Sequence, residues 1–139
     1  MAITAALCNS FKEDLLAMAP HEAGDTYKIA LYTSAANLSA ATTAYTATGE
    51  VSGTGYTAGG ANLAGFAASL DGSTAVLDFT DPTWPASTIT ARGALIYNSS
   101  KANRAVAVLD FGGDITSTAG TFTVTLPAAT AAAGLIRIA

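Results

Sequence analysis

A chain of 139 residues sets the scale of a single domain, read as residues 1–139 with a helical N-terminal segment (1–24) ahead of a β-rich remainder (25–139). Half of the residues are apolar and only 12% are charged, about half the usual share for a soluble domain. Spread over the roughly 6,600 Å² that a monomer of this mass exposes, sixteen charged side chains leave roughly 400 Å² for each. Positive mean hydropathy argues against disorder. Six Lys and Arg against ten Asp and Glu cannot build a phosphate-binding footprint, so no nucleic-acid partner is expected.

The first predicted element is a helix over residues 3–18. Ile3, Leu7, Phe11, Leu15 and Met18 recur at spacings of four and three and make one apolar stripe. Ser10 and Glu13 have capping-box spacing, which gives a shorter helix from Phe11 as the competing boundary. Pro20 and Gly24 stop it in either case. Such a stripe either docks on a neighbouring subunit or lies on its own domain. Phe11 and Leu15 are therefore candidate protein-interface residues.

After Gly24 the texture becomes that of strands. Tyr27–Thr33 alternates, with Tyr27, Ile29, Leu31 and Thr33 on one face. Residues 34–72 are rich in Ala, Thr, Ser and Gly, with short strands expected near Leu38–Tyr45 and Gly60–Phe66. Ala75–Phe79 follows, then a turn at Asp81-Pro82. Thr88–Tyr97 is the longest predicted strand, with Ile89, Ala91, Gly93, Leu95 and Tyr97 sharing a face, and it should pair antiparallel with Arg104–Phe111. Gly112-Gly113 should end that strand, and Thr121–Leu126 and Leu135–Ile138 complete the series. The uncharged run Ile115–Ile136 is long enough for a membrane span. Its Thr, Ser, Gly and Pro127 and the period-two core Phe122–Leu126 read as strand instead, so no membrane partner is expected. No basic n-region marks a secretory signal, and one Cys forbids an intrachain disulfide. Seven to nine short strands without βα alternation indicate an all-β sandwich or barrel.

The residues that could carry chemistry are few. His21 is the only histidine, and no pattern places it against Cys8 as a nucleophile–base pair. Gly53-x-Gly55-x-x-x-Gly59 is one residue too long for a dinucleotide fingerprint and lacks the flanking strand and helix, so it reads as a glycine-rich surface loop. Asp78 and Asp81, with Asp110 and Asp114, could gather on Ca²⁺ or act as a carboxylate pair if the two strand ends met. Asp beside Pro or Gly is also ordinary turn chemistry, and that is the reading preferred. Trp84, held between Pro82 and Pro85, could stack on a sugar, anchor a partner or plug one end of the sandwich. No metal, cofactor or catalytic residue is assigned, and no enzyme activity is expected.

The strings Ala44-Tyr45-Thr46, Glu50-Val51, Gly53–Gly60, Ile89–Asn98 and Val108–Gly112, with Phe11-Lys12 and Tyr27–Tyr32 ahead of them, resemble small tailed-phage virion structural proteins. In size, all-β character and sparse charge the chain is similar to the capsid cement (decoration) family of a Bordetella podophage. That resemblance implies a jelly-roll-like antiparallel β-sandwich with one short N-terminal helix. It further implies a homodimer on the outside of a phage capsid, where it cements neighbouring major capsid protein subunits. Synthesis would be in the host bacterial cytoplasm, with the finished protein in the virion. A tail or head–tail connector component, or a carbohydrate-binding jelly roll using Trp84 and the carboxylates, are the alternatives.

Overall fold

The computed structural model describes residues 2–17, 21–127, 130, 132 and 134–138. Among the described residues, eight strands and one helix follow in the order β1 (Ala6–Leu7), α1 (Asn9–Leu16), β2 (Tyr27–Tyr32), β3 (Ala61–Leu63), β4 (Ala67–Asp71), β5 (Thr74–Asp78), β6 (Thr83–Asn98), β7 (Arg104–Thr123) and β8 (Ile136–Ile138). They form an all-β sandwich of a five-stranded sheet, β1-β7-β6-β2-β3, and a three-stranded sheet, β4-β5-β8. Every pairing between these strands is antiparallel.

Toward the β6–β7 turn the large sheet is buried on both faces, and two cores result. Tyr27, Ile29 and Leu31 point toward the small sheet, where they meet Leu77, Phe79, Phe122 and Ile136. Ala30 and Tyr32 point the other way, beneath the N-terminal segment (Ile3, Cys8) and the long loop around Ala36 and Leu38. An uninterrupted apolar run such as Ile29–Tyr32 is what burial on both sides requires.

The hairpin of β6 and β7 is present as expected, but its strands run further than the sequence signals suggest. Gly112-Gly113 does not end β7. Ala91 pairs with Ile115 and Gly93 with Asp110, so Arg92 alone stands opposite residues 111–114. This bulge is closed by Asp110, whose Oδ1 accepts from the Gly112 N–H at 2.9 Å and from Arg92 Nε at 3.1 Å. The bulge also breaks the expected single face. Ile89 and Ala91 enter the first core, whereas Leu95 and Tyr97 enter the second, because an irregularity shifts the side-chain alternation.

The helix is shorter than the 3–18 stripe implies. Ile3 makes a parallel bridge to Leu38 and Ala6–Leu7 pair with β7, so the stripe's first two members belong to extended chain. Cys8 is the N-cap without a side-chain cap bond, and the Ser10 hydroxyl donates instead to the Ala105 carbonyl at 2.9 Å. Met18 lies outside the described residues. The helix rests on its own domain, with Phe11 buried in the first core.

In the glycine-rich region, Leu38 and Ala44 make only isolated bridges, while β3 falls within the expected Gly60–Phe66 strand. β4 was not expected from its Ala-Ala-Ser-Leu-Asp composition; it exists because the Gly72-Ser73 turn folds it back on β5. Among the described residues, no helix is long and apolar enough to cross a membrane.

Candidate functional site

The geometry separates the predicted site residues. Phe11 and Leu15 come together at an apolar groove between α1 and the small sheet, with Phe66, Leu77, Ile136 and Ile138. Phe11 forms its floor at 4% exposure, and Leu15 stands on its rim at 38%. The groove holds about 180 Å³, below the range of small-molecule sites and close to what one or two aliphatic side chains fill.

Trp84 does not join them. At 5% exposure its ring is in the core, with Phe122 edge-on at 6.1 Å and Tyr56 at 6.3 Å. As an interface or sugar-stacking candidate it is corrected to the plug position. Trp84 lies opposite Phe122 in the β6–β7 ladder, and an apolar core takes up an indole's area more favourably than solvent does.

Three of the four aspartates are engaged, each separately. Asp78 Oδ1 accepts from the Phe79 N–H at 2.8 Å, Asp81 Oδ1 accepts from the Leu126 N–H at 2.9 Å, and Asp110 closes the bulge. The Gly112 N–H and then Arg92 hold the Asp110 carboxyl below its ordinary range. Among the described residues no group of three or more potential ligands gathers for a metal.

No spacing or motif along the chain points to the polar network at the β6–β7 turn. Arg104 grips Asp14 with Nε at 2.9 Å and Nη2 at 3.0 Å, and Asp14 Oδ2 also meets His21 Nε2 at 2.9 Å. Asn98 Oδ1 accepts from the Ser100 N–H, which fixes the amide and turns Nδ2 toward His21 Nδ1 (3.1 Å) and Asp25 Oδ2 (2.8 Å). The histidine's ring hydrogen therefore sits on Nε2, and both ring nitrogens are committed. Lys101 Nζ completes the cluster 2.9 Å from Asp25. Asp25 is pushed down from 3.8 to about 2, first by the Asn98 hydrogen bond and then by Lys101. Cys8 is fully buried in the second core, and burial pushes its thiol up to about 11, so it stays protonated at neutral pH.

A second network fastens the glycine-rich loop. Glu50 accepts from the Tyr45 hydroxyl at 2.6 Å, the Tyr56 hydroxyl at 2.5 Å and the Gly59 N–H at 2.8 Å. The loop thus spends a backbone donor on the chain's own carboxylate. Burial and then Glu50 push Tyr45 up to about 12.

Charge is unevenly placed. Glu13, Asp14, Glu22, Asp25, Lys101 and Arg104 all join ion pairs at the β6–β7 turn. At the far end of the same two strands, residues 83–91 and 115–123 contain no charged residue. There Thr83, Thr88, Thr90, Thr116, Thr118, Thr121 and Thr123 are exposed.

Comparison with protein-family models, with curated proteins and with solved structures found no match.

Proposed function

We propose that this chain is a structural virion protein that binds the outside of a phage capsid as a homodimer and cements neighbouring major capsid protein subunits. It would be made in the host bacterial cytoplasm and reside on the capsid surface. The observation that carries this reading is the uncharged, threonine-covered ribbon of residues 83–91 and 115–123. Threonine, alanine and glycine lose little side-chain entropy and little hydration when covered, whereas Lys or Glu would lose both. A standard contact covers about 800 Å² per partner. The chain exposes 6758 Å², so a dimer contact and two or three capsid contacts fit on it together. Many weak copies on one lattice then gain by avidity.

The carbohydrate-binding alternative loses its main residue, because Trp84 is buried. The test is co-sedimentation of the purified protein with DNA-filled heads stripped of it by mild chaotrope. Thr118→Lys and Thr121→Lys, each placing a charge on the ribbon, should weaken binding tenfold or more while leaving the thermal midpoint within a few degrees. Undiminished binding by both variants removes the ribbon as the contact. Retention on isolated tails instead of heads makes the protein a tail or connector component.

A further inference from the structure

We infer that β4 is the self-association edge: two copies pair β4 to β4 across a two-fold axis, joining their small sheets into one six-stranded sheet. This deepens the homodimer in the proposed function, but the contact needs no capsid.

The four strands at sheet ends are β1, β3, β4 and β8, and β4 is the longest, with all five residues exposed. It carries no Pro, Lys or Arg, and its ladder with β5 has no bulge, so the usual protections of an open edge are missing. Its apolar surroundings point the same way. Among the described residues, five large apolar side chains are exposed. Leu70 is 74% exposed and lies on the face of β4 shared with groove residue Ala68. Leu15 and Ile138 line that groove, and Leu16 follows Leu15.

The backbone is self-complementary. Asp71 and Thr74 flank a two-residue turn that opens on Gly72 at φ +62°, so they form the closing pair that exchanges both hydrogen bonds. Bonded pairs alternate from there, at Ser69–Val76 and Ala67–Asp78. Ala68 and Leu70 therefore direct their N–H and C=O groups away from β5, toward the open edge. An antiparallel copy centred on Ser69 sets Ala68 against Leu70 of its mate, and those are the residues whose groups are free. Two such pairs make four backbone hydrogen bonds, and each Leu70 side chain covers an Ala68 beside a groove. Asp71, the only charge on the strand, falls opposite Ala67. The two carboxylates then stand about 14 Å apart along the strands, beyond the ~8 Å screening length of physiological salt. Ser69 meets its own mate as a non-hydrogen-bonded pair, with Cα atoms about 4.5 Å apart, within reach of a disulfide.

The experiment uses the full chain at tens of micromolar. Light scattering should give a dimer. Oxidation of Ser69→Cys should convert most of it to a covalent dimer, at least tenfold faster than Thr118→Cys on the ribbon; Cys8 is fully buried and stays out of the reaction. Leu70→Lys should weaken dimerisation tenfold or more with an unchanged thermal midpoint, and Ala68→Pro, if it folds, should do the same. A monomer at these concentrations, Ser69→Cys no faster than Thr118→Cys, or a dimer untouched by Leu70→Lys overturns the proposal. Shell binding by a monomer that Leu70→Lys abolishes would assign the edge to a shell strand instead, and also overturns it. A dimer with all the expected behaviour that binds no shell leaves this contact standing and removes the cement function.

Discussion

Two residues hold backbone conformations that side-chain chemistry alone does not explain. Gly60 sits at φ +84°, and a Cβ there would run into the Ile29 carbonyl of β2. This close approach brings the glycine-rich loop down onto the large sheet, so Gly60→Ala should cost about 2 kcal/mol or more, read as a drop in the urea midpoint. Ala119 is the opposite case, an alanine at φ +46° where the β6–β7 ladder is irregular. Nearby, the buried Ser87 hydroxyl meets Ser117 Oγ at 2.8 Å and donates to the Gly120 carbonyl at 3.1 Å, and this fixes the kink whatever residue 119 is. Relief of left-handed strain exceeds the entropy that glycine adds to the unfolded chain. Ala119→Gly should therefore stabilise by about 0.5–1 kcal/mol, visible as a higher midpoint.

At the scale of elements, the β6–β7 turn is tied to α1 and to the segment before β2 by ionic and amide contacts rather than by apolar packing alone. Asp25 is the clearest case. Its carboxyl is lowered from 3.8 to about 2, so its bonds to Asn98 and Lys101 stabilise the fold above pH 4. That contribution is lost as pH falls from about 4 toward 2, because the unfolded chain takes up the proton first. Asp14 and Asp110 are lowered too and act in the same direction. Asp25→Asn should therefore leave an acid limb, but a shallower one than wild type, in urea midpoints measured between pH 2 and 5. An equally steep limb would mean that Asn98 and Lys101 do not hold the carboxylate in solution.

For the whole molecule, the uneven placement of charge matters more than its scarcity. Ion pairs concentrate at the β6–β7 turn, while the ribbon beyond the bulge and the β4 edge present short or apolar side chains. Under the proposed function these would be two surfaces, the ribbon for shell subunits and the β4 edge for a second copy. They are separable: lysines on the ribbon should affect shell binding and spare the dimer, and Leu70→Lys should act on the dimer first. If one set of variants abolished both, a single surface would serve both contacts.

The sequence by itself determined the class of fold. Period-two runs such as Tyr27–Tyr32, the loop at 98–103 between two strand signals and the lack of βα alternation are local features, and local patterns are enough to specify an antiparallel β protein. It also placed Phe11 and Leu15 together, because helical spacing is local. Tertiary structure decided the rest. Ile3 and Leu7 fit a helical stripe, yet pairing with Leu38 and β7 pulled them into extended chain. Gly112-Gly113 reads as a stop from local propensity, and only a paired strand held by Asp110 turns it into a bulge that sends Ala91 and Leu95 to different cores. Trp84 looks like a displayed ring until Tyr56 and Phe122 close over it. The Asp14–His21–Asn98–Asp25 network joins residues up to 84 positions apart, and the small sheet likewise depends on a distant partner, β5 pairing with β8 at the far end of the chain. No window along the chain contains such contacts, because they are set by which strands end up neighbours.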